Sequence, residues 1–560
     1  MGRHDLNILI GGEAGQGLVT IAMILTKALV RTGYNIVVSQ SYQSRIRGGH
    51  NTFAIRVSTS QILASRARID FLVALNEESI NLHQGDMSDD GLILADARLA
   101  VSQDQALKVP FGEFASDRTV NVAYLGVLTQ LLGLAEPVVF QALEDYFGAK
   151  KPEVTEANRA AFAKAIQWAN DKNLPEAVRL APAPKTQPRL MLNGNEAIAL
   201  GAIAAGLKFC AFYPMTPSTS IPLTLQAAAD SMGLVVEQAE DEIAAINMAI
   251  GASYAGVPAM VATSGGGFAL MVEGVSLAGM TETPVFIVVA QRPGPATGLP
   301  TRTEQGDLEF VLHAGHGEFP RAIFAPGNVE ECFHLSRQAL FLAEKYQTPI
   351  FLLTDQFLAD SYRAVAPFEV NSLEQVAVGS DPATVTKPYQ RYALTENGIS
   401  PRLLPGFSEH LVVCDSDEHT SDGHITEDLM VRVQMVNKRL RKGQGLRAEV
   451  IPPTYVGQAR PEILLVTWGS NRGAVLEAVA SLQAQGQQVA ALCFSQVWPL
   501  LPEQFLAHLQ SAGQVVMVEG NACGQMARLI RRETGFEIQR QIRRYDGLPI
   551  TPEYILQALS

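Results

Sequence analysis

The chain has 560 residues, 47% of them hydrophobic and 18% charged, and a formal net charge of −13. That composition can bury several ordinary cores and predicts about three to four domains. The acidic balance argues against a nucleic-acid surface or an anionic-membrane surface. No apolar run reaches the roughly 20 uncharged residues that a bilayer span needs. The start, MGRHDLNILIGG, shows no long apolar region and no small-residue cleavage site, so a cytoplasmic protein is expected. The five cysteines, Cys210, Cys332, Cys414, Cys493 and Cys523, form no CxxC pair. They read as reduced thiols in or near cores rather than as a disulfide framework or an iron–sulfur set.

In chain order, Asn7 to Ile10 form an apolar strand, followed by a glycine loop, a helix-period run from Leu18 to Val30 and a second strand at Ile36 to Val38. The glycines fall as Gly12-x-x-Gly15-x-Gly17, and the second strand ends in Ser39-Gln40 rather than an acidic residue. A dinucleotide fingerprint is therefore rejected, while a backbone cradle for some phosphate and a purely structural tight turn explain the loop equally well. Arg45 and Arg47 then precede Gly48-Gly49-His50-Asn51 and a strand at Phe53 to Val57. Two guanidinium forks beside paired glycines suit a phosphate-bearing ligand; a solvated turn is the plainer reading. Alternating strand and helix signals continue to about Lys172, and the proline-rich segment 181–190 reads as a linker.

A second alternating unit covers 191–365. It brings four chemistry-bearing stretches to strand ends: Tyr213-Pro214-Met215-Thr216-Pro217, Glu240-Asp241-Glu242, Ser264-Gly265-Gly266-Gly267 and Gln291-Arg292. In an open parallel sheet, ligands lie beyond the carboxyl ends of the strands. Residues 366–455 lose the alternation and form a connecting segment. Its Asp415, Asp417, His419, Asp422 and His424 lack regular ligand spacing and read as a polar surface loop, so no metal site is assigned. The basic run at 438–447 reads as a helix end. Residues 456–560 form another parallel βαβ arrangement without a nucleophile–base pair.

Glu242 stands on the first turn of a helix with Ile243, Ala244, Ala245 and Ile246 behind it. Thiamine diphosphate requires such a residue: a carboxyl in a dry pocket hydrogen-bonded to the aminopyrimidine ring, so that the ring's own amino group becomes the base. Sequence alone leaves Glu240 and Asp241 as competitors, and an acidic helix start favoured by the dipole is the rival explanation.

The motifs GGEAGQG (11–17), RGGHN (47–51), YPMTPSTS (213–220), EQAEDEIAAINMAIGASYAG (237–256), TSGGG (263–267) and RPGPATGLPTRTEQGDL (292–308) extend along the chain, with GISPRLLPG (398–406) and DGLPITPE (546–553) near its end. Together they resemble the alpha subunit of 2-oxoacid:ferredoxin oxidoreductases, most nearly the 2-oxoglutarate type with the gamma domain fused in front.

The resemblance implies a fold of three parallel-sheet α/β domains: a gamma domain (1–180), a pyrimidine-binding domain (191–365) and a transketolase C-terminal-like domain (456–560). It implies that Glu242 activates the pyrimidine, that Thr216 contacts the 2-oxoacid, and that Arg292 partners the substrate carboxylate. Arg302 would meet a distal carboxylate. Tyr213, Pro214, Thr216, Ser264 and Gly265 would line the cofactor, and Arg47, Gly48 and Gly49 would meet coenzyme A. The chain has no GDG element and no cluster-forming cysteines. The resemblance therefore places Mg²⁺, the diphosphate grip and a [4Fe–4S] cluster in a beta subunit, within an (αβ)₂ assembly that uses ferredoxin. The expected reaction interconverts 2-oxoglutarate plus CoA with succinyl-CoA plus CO₂. Pyruvate or branched-chain 2-oxoacids, lipoamide-linked chemistry and a non-catalytic assembly role are the alternatives.

Overall fold

The structure is a computed structural model describing residues 2–43, 49–101, 106–148, 152–185 and 187–560. Arg47 and Gly48, expected near coenzyme A, lie outside the described residues. The chain divides into two compact units.

The first unit comprises Met1–Leu192, Asp360–Phe368 and Thr551–Ser560. Strand β1 (Asp5–Glu13) is buried along most of its length, as an apolar run in a covered sheet should be. Helix α1 (Leu18–Thr32) starts after Gly17 at φ 80° and stops at Gly33 at φ 111°, whose N–H donates to the Leu29 and Val30 carbonyls. The left-handed backbone at both ends explains glycine there. Strand β2 (Asn35–Ser41) returns beside β3 (His50–Ser58), which is inserted antiparallel between β1 and β2. The expected β-loop-α-β unit is present, but its two strands are not neighbours. Strand β4 (Ile69–Ala74), helix α2 (Glu77–His83) and strands β5 (Met87–Asp96) and β6 (Ala106–Val109) extend the parallel half. Helices α3 (Val120–Leu132), α4 (Glu136–Phe147) and α5 (Pro152–Asn170) and strand β7 (Leu190–Leu192) follow. The stretch expected as a linker is fastened to this unit: Tyr34 Oη donates to the Ala181 carbonyl at 2.8 Å, and Arg189 Nη1 to Asn35 Oδ1 at 2.6 Å.

The second unit comprises Asn193–Ala359 and Glu369–Ile550. It opens with α6 (Gly194–Ala204), β8 (Phe209–Phe212), α7 (Ser220–Met232), β9 (Val235–Gln238), α8 (Glu242–Tyr254), β10 (Ala259–Thr263), α9 (Gly265–Met280) and β11 (Val285–Gln291). Next come α10 (Leu308–His313), β12 (Ala322–Phe324), α11 (Val329–Tyr346), β13 (Pro349–Asp355) and α12 (Gln356–Asp360). Strand β14 (Arg363–Val365) then belongs to the first unit, pairing antiparallel with both β2 and β7 in its eight-stranded sheet. The second sheet has seven strands in the order β18-β12-β13-β11-β10-β8-β9, parallel except at β18 (Gln496–Trp498). Its central strands β10, β11 and β13 are buried throughout, the mark of a sheet covered on both faces. The apolar segment at 234–236 runs into the edge strand β9 (Val235–Gln238), whose Val235 is 56% exposed.

Residues 366–428 carry no helix or strand beyond one short turn of 3₁₀ helix, before α13 (Leu429–Ala448). Strands β15 (Thr454–Val456), β16 (Ile463–Trp468), β17 (Val489–Phe494), β19 (Gln514–Glu519) and β20 (Arg540–Arg543) form the third sheet, parallel except at β15. Helices α14 (Arg472–Ala484), α15 (Leu506–Ser511) and α16 (Gln525–Thr534) connect them, and the last helix, α17 (Pro552–Leu559), falls in the first unit. The architecture is thus mixed α/β with three sheets, the second and third mostly parallel and the first parallel from β6 to β1 and antiparallel from β1 to β7.

The basic run forms the C-terminal half of α13, as a helix end should, but Lys438 and Lys442 are buried there, and both ammonium groups meet the fully buried Glu282 at 2.6 and 2.8 Å. Burial alone would raise the Glu282 carboxyl; Lys442, Lys438 and Arg391 together hold it well below the usual carboxylate range. Burial outweighs the same attraction at Lys438 and brings it down to about 8. His419 is likewise buried, its ring 3.9 Å from that of Tyr392, so its loop is partly interior rather than wholly surface.

Candidate active site at the carboxyl ends of the second sheet

Helix α8 begins where Asp241 adopts extended backbone and its side chain accepts the Ala244 N–H at 2.8 Å. That bond assigns Asp241 to capping. Glu240 is exposed. Glu242, the first helical residue, is 3% exposed, and its Oε1 is sealed from solvent with no hydrogen-bond partner. An unpaired buried carboxylate oxygen is costly unless a ligand meets it.

Glu242 lies against the start of α9. A Cβ placed on Gly267 would overlap both Glu242 Oε1 and Thr263 Oγ1, so only glycine lets the carboxyl reach this helix. Ser264, at the N-cap of α9, is fully buried; its side chain makes no capping bond, and its Oγ has no partner either. The first-turn N–H groups of a helix lack intrahelical acceptors, so this end favours an anion or a polar group. Gly265 is partly exposed beside it.

The turn after β8 carries the next group of expected site residues. Tyr213 and Pro214 are exposed, and Thr216 precedes Pro217 across a cis peptide. Ser218 closes the turn, donating from both N and Oγ to the Met215 carbonyl. Asn195 supports it from α6, donating from Nδ2 to the Pro217 carbonyl at 2.8 Å and to Ser220 Oγ at 2.7 Å. The N-cap of α6 is Asn193, which leaves the Asn195 side chain for this turn.

At the end of β11 the two neighbours divide the work. Gln291 turns inward, donating to the Thr354 carbonyl at 3.2 Å and accepting the Asp307 N–H at 3.0 Å. Arg292 is 9% exposed and reaches across to the Thr216 carbonyl, Nη1 to O 2.7 Å. Burial moves its guanidinium down from the ordinary value, and Asp307 pulls it back up. The structure thus joins Thr216 and Arg292 directly and places Glu242, Ser264 and Gly265 together at α9. Arg302 lies elsewhere on the following loop, its stem against Gly547. Gly49 sits in the first unit at φ 80°. Asp307 was visible in the motif ending at 308 but carried no distinguishing signal in the sequence. Its position against α9 comes from the fold, because a Cβ at Gly265 would lie 2.5 Å from its Oδ2.

The sealed carboxyl over a glycine, the unpartnered hydroxyl and the open helix start fit the ring edge of thiamine diphosphate, which presents hydrogen-bonding nitrogens to such groups.

Comparison with known proteins identifies the family. A relative from Sulfolobus sp, "2-oxoacid:ferredoxin oxidoreductase subunit alpha", is 32% identical across 99% of this chain and 96% of its own. The chain belongs to the 2-oxoacid:ferredoxin oxidoreductase alpha subunits. The family profile described as "Pyruvate flavodoxin/ferredoxin oxidoreductase, thiamine diP-bdg" matches residues 200–438, and "Pyruvate ferredoxin/flavodoxin oxidoreductase" matches 7–168. The "2-oxoglutarate oxidoreductase subunit KorA" of Mycobacterium tuberculosis is 28% identical over 96% of this chain and 88% of its own. A solved 2-oxoglutarate:ferredoxin oxidoreductase from Magnetococcus marinus, with 2-oxoglutarate, coenzyme A and succinyl-CoA bound, aligns with a TM-score of 0.93 and 31% identity. It covers 100% of this chain and 99% of that one. An alpha subunit works with other subunits, and among the described residues no group of three or more His, Cys, Asp or Glu could hold a metal ion. No described helix is long and apolar enough to cross a membrane.

Proposed function

We propose that this alpha subunit serves a 2-oxoglutarate:ferredoxin oxidoreductase interconverting 2-oxoglutarate plus CoA with succinyl-CoA plus CO₂. The observation that supports the substrate most directly is the end-to-end likeness to the Magnetococcus marinus 2-oxoglutarate enzyme. Arg292 adds a guanidinium group suited to a carboxylate, and Arg302 would meet the distal carboxylate.

Thiamine diphosphate, when bound, supplies the carbon nucleophile and the electron sink for decarboxylation. Glu242 would hold its aminopyrimidine ring, donating or sharing a proton at Oε1, and Ser264 and the Gly265 end of α9 would line the same ring. Arg292, fastened at one nitrogen by the Thr216 carbonyl, keeps its remaining donors for a substrate carboxylate. Tyr213, Pro214 and Thr216 would form the wall that orients the 2-oxoacid. The partner beta subunit would hold the diphosphate, Mg²⁺ and a [4Fe–4S] cluster within an (αβ)₂ assembly in the cytoplasm and pass electrons to ferredoxin. Ile243 and Met248 of α8 and Leu270 of α9 are exposed apolar side chains that a partner subunit would cover. Arg47, Gly48 and Gly49 would meet coenzyme A.

The test is co-expression with the beta subunit and steady-state assay of 2-oxoglutarate, pyruvate and a branched-chain 2-oxoacid with CoA and ferredoxin. At least roughly tenfold higher kcat/KM for 2-oxoglutarate is expected, about 1.4 kcal/mol of discrimination. Equal or better use of pyruvate overturns the substrate assignment. Reduction of lipoyl protein instead of ferredoxin overturns the reaction type.

A further inference from the structure

One ionisable group beside Arg292 is not used in the function proposed above. Asp307 stands at the N-cap of α10, yet its side chain makes no capping bond. Its backbone N–H is held by Gln291 Oε1, which fixes where the residue starts. The carboxylate turns over the first residue of α9, within 2.5 and 2.7 Å of where a Gly265 Cβ would be. Oδ2 is sealed from solvent without a hydrogen-bond partner. Two residues along the same helix, Gly267 lies against Glu242 Oε1, also sealed and unpartnered. Two carboxylates therefore bracket the first turn of α9.

Arg292 faces Asp307 from the end of β11 and favours its ionised form, but too weakly to offset burial, which pushes the Asp307 carboxyl up to about 6. Glu304, on the same loop, is raised by burial and by Asp307. Glu309 of α10 is engaged by Arg528 of α16 at 3.2 Å. Helix α9 contributes backbone at Gly265, and Glu242 faces Gly267. A substrate carboxylate drawn to Arg292 enters beside Asp307, and two like charges so placed cannot both remain ionised without cost. Burial has already made Asp307 the group that yields.

We propose that Asp307 takes up one proton from solvent as the carboxylate of the 2-oxoacid binds beside Arg292, and so sets the pH range in which substrate is held. This rests on the reading of Arg292 as the carboxylate partner. Binding that consumes a proton weakens as pH rises above the free-enzyme value, so KM increases by up to roughly tenfold per pH unit above about pH 6.

The test uses the assembled holoenzyme carrying Glu242→Gln, with coenzyme A and ferredoxin left out so that turnover is suppressed. Titration calorimetry with 2-oxoglutarate and with pyruvate, near pH 7 in two buffers of different ionisation enthalpy, counts protons exchanged on binding. About one proton taken up is expected, falling to near zero when Asp307→Asn is added. In the catalytically competent enzyme, Asp307→Asn flattens the rise of KM with pH, whereas Glu304→Gln keeps it. Binding of either acid with no proton uptake in the Glu242→Gln enzyme overturns the inference while leaving the proposed function standing, and needs no Asp307 variant to fold. An unchanged proton count after Asp307→Asn also overturns it. Failure of every 2-oxoacid to bind defeats both.

Discussion

Glu242 and Arg292 make separable demands on the reaction. Glu242→Gln keeps size and hydrogen bonding but cannot supply a proton, so kcat is expected to fall by about 10²–10⁴-fold. Binding of thiamine diphosphate, followed by fluorescence titration, should change far less. Near-normal turnover with the cofactor bound would favour an assembly role for this chain. Arg292→Lys removes the fork that lets one nitrogen hold the Thr216 carbonyl while others face substrate. KM for the 2-oxoacid should rise about tenfold or more, roughly 1.4 kcal/mol, with a smaller change in kcat. A fall in kcat at constant KM would instead place Arg292 in the chemistry alone. At this scale the sequence was partly legible: an acidic cluster at a helix start could be located, but not divided. Only the Asp241 cap bond, the exposure of Glu240 and the burial of Glu242 separate the three.

Helix α9 is the element on which the cleft depends, because its glycines let carboxylates approach its backbone. Gly267→Ala would place a methyl into Glu242 and Thr263 at a helical position where alanine is otherwise the better residue. Overpacking should cost about 1–3 kcal/mol, read as a lower denaturant midpoint, and should weaken cofactor affinity by displacing the Glu242 carboxyl. A more stable variant with unchanged cofactor affinity would contradict the close approach. The far end of α9 carries the other device, Glu282 between Lys438 and Lys442 of α13. Glu282→Gln leaves two buried ammonium groups uncompensated, and about 3–5 kcal/mol of stability should be lost in denaturant unfolding. The held-down Glu282 carboxyl gives a pH sign. Its contribution is present above the carboxylate range of the unfolded chain and is lost as pH falls toward the folded value, so the variant should lack part of the wild type's acid lability. This pairing was illegible in the sequence, where KRLRKGQGLR reads as a basic helix end. Nothing local reveals that a glutamate about 160 positions away supplies its counter-charge.

At the scale of the whole molecule, hydrophobic alternation was the readable signal. The buried parallel strands β10, β11 and β13 follow from continuous apolar runs bounded by turns. What alternation could not convey was partnership across long separations: β3 entering between β1 and β2, β18 completing the second sheet from the C-terminal part, and the three-residue strand β14 joining the first. The division into units was obscured for the same reason, since a strand of three residues and a terminal helix leave no periodic trace that says where they dock.

The route of the chain also bears on how this protein can be cut. It passes from one unit to the other after Leu192, Ala359, Phe368 and Ile550, so the first unit is sewn from three separate lengths of polypeptide. A protease nick near 192 therefore frees no autonomous N-terminal module. Such a piece would forfeit β14, stripping β2 and β7 of their shared neighbour and baring the raw margin of a sheet, an invitation to clumping.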